Sequence, residues 1–225
     1  MLWERLSFEQ QTKVRLQIEN HIKENIPGFA IVEKKQSLWM KTLDKVLFFT
    51  PDFMDRFVTT WYPKVFIPNR PRWEANNMSS ICTVCHEYVH LRDRKRLSLL
   101  FNFAYLFPQA LAPLALFYTI NPWFLLFLLC LLPIPSLGRT WAEIRGYRMT
   151  MAVFYWLTDR KYSVTHITHQ FVSSNYYWMF PFRGVITKLF NNEFEKIKKG
   201  QLTPELSEIK NVLTAANITV YNRLV

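Results

Sequence analysis

The segment Ile81–Lys95, ICTVCHEYVHLRDRK, carries two metal-site spacings that overlap at one histidine. Cys82-Thr-Val-Cys85-His86 has the spacing of a covalent haem attachment site. His86-Glu87-Tyr-Val-His90 has the spacing of a zinc site with an adjoining carboxylate. One imidazole cannot hold both an iron and a zinc, so the two readings exclude each other.

Side chains on a helix advance by about 100° per residue, which puts His86 and His90 one turn apart on the same face. Two imidazoles so placed can grip one ion. Glu87 follows the first histidine and points to the side of the pair, where a carboxylate can hold a water and take its proton as general base. The haem reading requires export. The start MLWERLSFEQQTKVRLQIENHIKENI has no apolar h-region or cleavage site, so no secretory signal is expected. Haem-attaching cysteines also lie where a short segment wraps the porphyrin, whereas these sit in a continuous helical pattern. A closed zinc site built from Cys82, Cys85, His86 and His90 fails as well, because one rigid helix cannot surround an ion tetrahedrally. The expectation for Cys82 and Cys85 is two small, semi-buried residues packing the first turn of the helix, with reduced thiols.

A hydrolytic zinc ion takes three protein ligands and keeps one position open. The stretch WAEIRGYRM offers Glu143, the only acidic residue between Asp93 and Asp159. Its plainer alternative is a surface carboxylate paired with Arg139 or Tyr147. Gly146, three residues on, lies on nearly the same face and would let the two helices approach closely. Tyr147, four residues on, faces the presumed metal and can donate its phenolic proton to a developing oxyanion. Asp93 stands at i+3 from His90, either as its support or as a solvated charge. His166 and His169 in VTHITHQF, and Tyr176 or Tyr177, are secondary candidates whose plainer reading is packed, hydrogen-bonded residues. The stripe Tyr176, Tyr177, Trp178, Phe180 and Phe182 reads as core or as a membrane-interface belt.

A chain of 225 residues fits one domain, 1–225, with a sizeable core. Its formal charge of +11 favours anionic partners such as phospholipid head groups, nucleic acid or an acidic protein surface. The basic residues are scattered and form no nucleic-acid module, so no specific nucleic-acid partner is expected. Three cysteines do not make a disulfide framework.

Around the motif the pattern reads mostly helical. A surface helix runs from Phe8 to Ile26 and stops at Pro27-Gly28. FAIVEK is a short strand. SLWMKTLDKVLFF and PDFMDRFVTT are helical, with Pro51 suited to the first turn of the second. TTWYPKVFIPN is extended and, with prolines at its middle and end, fits an edge strand. RPRWEANNMSS is a loop ending in Ser79 and Ser80, the expected N-caps of the motif helix. RTWAEIRGYRMTMAVFYWLTD is a long helix, and PELSEIKNVLTAANI an amphipathic one with Pro204 in its first turn.

Residues 97–138 carry no charge at all, a run twice the length of about 20 residues that one membrane-spanning helix needs. Asn121-Pro122 breaks it into two arms suited to a helical hairpin. Arg92, Arg94, Lys95 and Arg96 precede it and Arg139, Arg145 and Arg148 follow it. Both ends of a hairpin face one side, and these charges place that side in the cytoplasm. The second arm is short and ends in Pro133 and Pro135. The hairpin therefore reads as contacting a membrane, or else as buried against an apolar protein surface.

His86-Glu87-x-x-His90 followed by Glu143 on a later helix resembles the gluzincin group of zinc metallopeptidases. VFIPN, CHEYVHLRD, the apolar hairpin, WAEIRGY and SSNYYWMFPF, in that order from Thr59 to Phe182, also resemble small zincin-like proteins of bacteria and their phages. The arrangement is similar, too, to membrane metallopeptidases in which an apolar hairpin separates the two metal-binding helices. The resemblance implies an α+β zincin-like domain, mainly helical with a small sheet, whose edge strand lines the cleft and pairs with an extended peptide. It implies Zn²⁺ on His86, His90 and Glu143, Glu87 as the base, and hydrolysis of a peptide or protein; the helix spacing adds Tyr147 as the leading oxyanion candidate, and the flanking charges put the site on the cytoplasmic side of a membrane. One departure stands out: the aspartate that usually follows the third ligand by one turn, buttressing a histidine, is here Tyr147. The rival expectation is a non-catalytic structural or interaction protein, such as a virion-associated phage component in a larger assembly, that keeps the frame and the metal site without turnover.

Overall fold

The computed structural model describes residues 3–46, 53–132, 134–173 and 178–216. Two long helices form its centre: α5, Asn77–Leu97, and α7, Leu137–Thr158, which pack against each other. Each buries apolar residues on more than one face, Ile81, Cys82, Val84 and Val89 on α5 and Met149, Met151, Val153 and Tyr155 on α7. Helices apolar on several faces belong inside a protein. Each such side chain contributes roughly 1.5–3 kcal/mol by leaving water.

The other helices wrap this pair. α1, Phe8–Asn25, starts on a capping box between Ser7 and Gln10 and buries Val14, Ile18 and Ile22. It ends before Pro27-Gly28, where Gly28 takes a φ of 79° that a side chain would resist. α2 is Leu38–Val46, within SLWMKTLDKVLFF, whereas α3 covers only Phe53–Arg56 of PDFMDRFVTT, whose Thr59 and Thr60 are extended; Pro51 lies outside the described residues. α8 is Val164–Val172, α9 is Arg183–Lys198, and α10 is Pro204–Ala215 with its proline in the first turn. α9 has no counterpart among the elements read from the sequence, although Ile186, Phe190, Phe194 and Ile197 follow the i, i+4, i+8, i+11 helical spacing and are all buried.

Three strands make a small mixed sheet in the order β1–β3–β2: β1 is Ala30–Glu33, β2 is Thr59–Trp61 and β3 is Lys64–Ile67. β1 runs parallel to β3, and β2 antiparallel. Mostly helical with one small sheet, the chain is α+β.

Three expectations need correction. TTWYPKVFIPN is a hairpin and not one edge strand. It turns at Tyr62-Pro63, where proline's missing N–H breaks the ladder, so Val65–Ile67 lie buried in the central strand and Thr59–Trp61 form the edge. RPRWEANNMSS is largely helical: α4 spans Arg70–Ala75, with Asn69 capping it and Pro71 in its first turn. The motif helix consequently starts at Asn77, capped by Asn76 through the N–H of Ser79, and neither serine is the cap.

In the uncharged run, α6 covers Leu99–Leu106 and 3₁₀ helices cover Gln109–Thr119 and Pro122–Leu131. The chain does reverse at Asn121-Pro122, with the two 3₁₀ segments packed on each other. The first arm, however, bends by 86° between α6 and the 3₁₀ segment, next to Pro108, which cannot donate to a continuing helix. Among the described residues no single helix is long and apolar enough to cross a membrane. The run still presents an exposed apolar surface, including Leu99, Leu100, Leu116, Ile120, Trp123 and Leu126.

Candidate metal centre

His86 and His90 stand on consecutive turns of α5, and Glu143 faces them from α7. His86 Nε2 lies 3.2 Å from Glu143 Oε2, and His90 Nε2 lies 3.6 Å from Glu143 Oε1. One ligand atom from each of the three fits within a set no wider than 4.8 Å, and all three residues are buried. Tetrahedral coordination with bonds of about 2.1 Å has edges of about 3.4 Å, between the two measured separations. Two buried atoms here, His90 Nδ1 and Glu143 Oε2, have no hydrogen-bond partner among the described residues. An orphaned carboxylate oxygen beside two imidazoles is costly in an empty protein interior and natural beside a cation. The buried group can hold a metal ion.

Gly146 is what lets α7 come so close. A Cβ built there would lie 2.5 Å from His86 Nε2 and 2.6 Å from its Cε1. The position admits no side chain, as the spacing suggested.

Electrostatics within the group is coupled. Burial pulls His90 below the ordinary imidazole range, against the pull of Glu143. Burial also works against a charge on His86, but the negative Glu143 carboxylate 3.2 Å away outweighs it and raises that pKa. For Glu143, burial pushes upward while His86, His90 and Tyr105 together hold the carboxyl below its usual value. The carboxylate thus stays ionised, the form in which it ligates.

Glu87 sits beside the pair, half-buried, with Oε2 accepting a 2.6 Å hydrogen bond from Thr60 Oγ1. Thr60 belongs to the edge strand β2, so the sheet abuts the motif helix at this carboxylate. Tyr147 is buried with its ring edge-on to His86, centroids 4.9 Å apart, and packs against Phe171 and Phe190. The phenol that reaches Glu143 belongs to another residue: Tyr105 of α6 donates to Oε1 at 2.7 Å.

Support for the histidines comes from an unexpected place. His86 Nδ1 lies 3.3 Å from Thr150 Oγ1 on α7. Asp93 is neither a solvated charge nor the partner of His90. It is buried and clasped by Arg145 through two bonds of 2.9 and 3.0 Å, a pairing that also ties α5 to α7. His166 and His169 are exposed on α8 and stand outside the ligand group, His166 against the ring of Tyr162. Tyr176 and Tyr177 lie outside the described residues.

Cys82 and Cys85 lie on the continuous helix, in its second and third turns, and are buried outright, not semi-buried in the first turn. Burial pushes the Cys82 thiol up to about 12 and Cys85 well above its ordinary value. Both stand outside the ligand group and pack in the core.

Thr60, Tyr105 and Thr150 were not singled out from the sequence. Tyr105 alone left a trace, as one of only two tyrosines in an otherwise almost wholly apolar run. No family model matches this chain, and neither does a curated protein or a solved structure.

Proposed function

We propose that this protein is a zinc-dependent peptide hydrolase with a zincin-like arrangement of the gluzincin kind. The observation that carries the reading is the convergence of His86, His90 and Glu143, with Glu87 alongside. His₂Glu is a ligand set suited to catalytic zinc, and oxygen and imidazole donors without thiolate leave its Lewis acidity strong. When bound, the ion supplies that acidity, bringing the pKa of water toward neutrality and polarising a carbonyl.

The chain's own residues then have separable tasks. Glu87, one residue from the first ligand, takes the proton of the attacking water and passes it to the leaving amine. Thr60 holds the Glu87 carboxylate in one orientation through its donated hydrogen bond. Edge strand β2, with no strand on its outer side among the described residues, suits an extended peptide added as a further strand. Tyr147, packed edge-on against His86, remains the oxyanion donor of this reading. We further place the exposed apolar surface of residues 97–138 against a bilayer, with the metal centre on the cytoplasmic side. Support comes from the basic residues flanking the run and from exposed Trp123 and Trp141.

One observation favours a second reading. The three ligands are enclosed, with His86 and His90 each 7 % exposed and Glu143 2 %. A non-catalytic interaction protein, such as a phage virion component anchored by its apolar surface, would keep such a site for stability. Zinc content and cleavage of an unstructured casein-type substrate by wild type and Glu87→Gln separate the two. Zinc in both proteins with Glu87-dependent cleavage supports the hydrolase. Zinc in both with no cleavage by wild type leaves the structural reading.

A further inference from the structure

We infer that Tyr105 is the positioning residue for the third metal ligand, which makes helix α6 of the apolar run a working part of the metal centre. The inference rests on the metal-binding reading of His86, His90 and Glu143.

Helix α6 is short, and its two sides face different surroundings. Leu99, Leu100, Phe103 and Leu106 are exposed, while Phe101 and Tyr105, one turn apart, face inward against the ring of His90, each at a centroid distance of 6.2 Å. From that inner side the Tyr105 hydroxyl donates to Glu143 Oε1 at 2.7 Å. A buried carboxylate on a helix can turn about its side-chain torsions. One oxygen tied by a phenol leaves the other, the orphaned Oε2, with a defined direction beside the imidazole of His86. Groups that hold a ligand's free atom in this way orient it and tune its basicity. Among the described residues, the other polar contacts of Glu143 are to the two histidines themselves.

Three further contacts hold α6 in the position this requires. Arg139 donates through Nε to the carbonyl of Tyr105 at 3.2 Å and through Nη2 to Gln109 Oε1 at 3.2 Å, a cation placed on the C-terminal carbonyls of α6. Gly138 meets the backbone of Ala104 so closely that a Cβ would lie 2.1 Å from its carbonyl oxygen. At the opposite end, Ser98 joins α5 to α6 with φ 53° and ψ −135°, a conformation that a residue with a Cβ adopts only when its surroundings enforce it. The element carrying His86 and His90 and the element carrying Tyr105 are thus joined through one strained residue. An open apolar groove of about 350 Å³, lined by Leu97, Leu100, Phe101, Ala104, Gly138 and Trp141, runs along the outside of this contact.

The test uses the full chain and does not depend on turnover. Zinc affinity is measured by competition with a chromophoric chelator for wild type, Tyr105→Phe and Gly138→Ala. The visible spectrum of the Co²⁺-substituted proteins reports the ligand field. Tyr105→Phe keeps the ring and removes only the hydroxyl. It is expected to weaken zinc binding about 10- to 100-fold and to shift the cobalt bands. Gly138→Ala, which drives α6 from α7 without touching any ligand, is expected to weaken zinc binding in the same direction. Tyr105→Phe with wild-type affinity and wild-type cobalt bands overturns the inference while leaving the metal centre in place. A wild type that binds neither Zn²⁺ nor Co²⁺ overturns the metal reading and this inference together.

Discussion

His86 and Gly146 stand so close that no Cβ fits between them: one added at residue 146 would lie 2.5 Å from the imidazole Nε2. The nearest atoms belong to a buried ring and not to the loose end of a flexible side chain, so a methyl group there has to displace either a ligand or a helix. Gly146→Ala is expected to lower stability by about 1–3 kcal/mol through overpacking and to reduce zinc occupancy at the same time. Thermal unfolding with and without metal, together with metal analysis of the purified variant, checks both effects. A variant with unchanged melting and full zinc content would contradict the packing described.

A bound ion that the unfolded chain does not hold stabilises the fold by mass action, about 2.7 kcal/mol at a free concentration of 100 times Kd. Adding Zn²⁺ to metal-free protein is therefore expected to raise the melting temperature, and a chelator to reverse the change. Glu143→Gln keeps the shape of the side chain but removes the charge between the histidines. It should abolish most of the zinc-induced shift while folding well enough to show a transition of its own.

Thr60 offers a finer test of the hydrolytic reading, because it touches Glu87 and none of the metal ligands. Thr60→Val removes the hydroxyl at nearly constant volume. A hydrogen bond to a charged group contributes about 1.5–3 kcal/mol, so turnover is expected to fall by roughly 10- to 100-fold with zinc affinity unchanged. Equal losses in metal binding and in rate would point instead to a general disturbance of the sheet.

Away from the centre, Lys34 is buried with its ammonium donating to the Phe53 carbonyl at 2.6 Å and lying over the Phe53 ring. Burial lowers its pKa from 10.5 to about 8, against the opposing pull of Asp44 and Asp55. Between pH 8 and 10.5 the unfolded chain holds this proton more tightly than the folded one, so stability contributed by this site rises with pH across that window. Relative to Lys34→Met, wild type should gain on the order of 2 kcal/mol from the lower to the upper end, read from denaturant midpoints. A constant difference between the two proteins would show that the ammonium is not desolvated.

The parts of the centre visible in the sequence are those governed by local geometry. His86 and His90 announce themselves because four residues make one helical turn, and Gly146 because three residues from Glu143 return nearly to the same face. Glu143 was conspicuous through the lack of any competing acid nearby. Thr60, Tyr105 and Thr150 belong to no pattern: each meets its partner across 27, 38 and 64 residues, respectively, through packing that periodicity does not encode. Asp93 illustrates the same limit, since its position on α5 gives a face but not the arginine that meets it there. The hairpin in TTWYPKVFIPN is illegible in the sequence for a different reason. Its alternating β-branched and aromatic residues fit one long strand as well as two short ones, and only the turn at Pro63 decides between them. Asn76 takes the place of the two serines as cap because the preceding helix α4 ends one residue earlier, and that helix is itself hidden by Pro71 within it and by the asparagines that flank it.

Glu208 on α10 accepts hydrogen bonds from Tyr88 at 2.6 Å and from Arg92, and lies 2.7 Å from His21. The back of the motif helix is thus fastened by a carboxylate lying 120 positions further along than Tyr88. During synthesis both imidazoles leave the ribosome long before Glu143, and Glu143 long before Glu208. A nascent chain halted between His90 and Glu143 would expose α5 with neither carboxylate in place, so the group that could hold an ion is completed only once Glu143 has been made and has met the paired imidazoles.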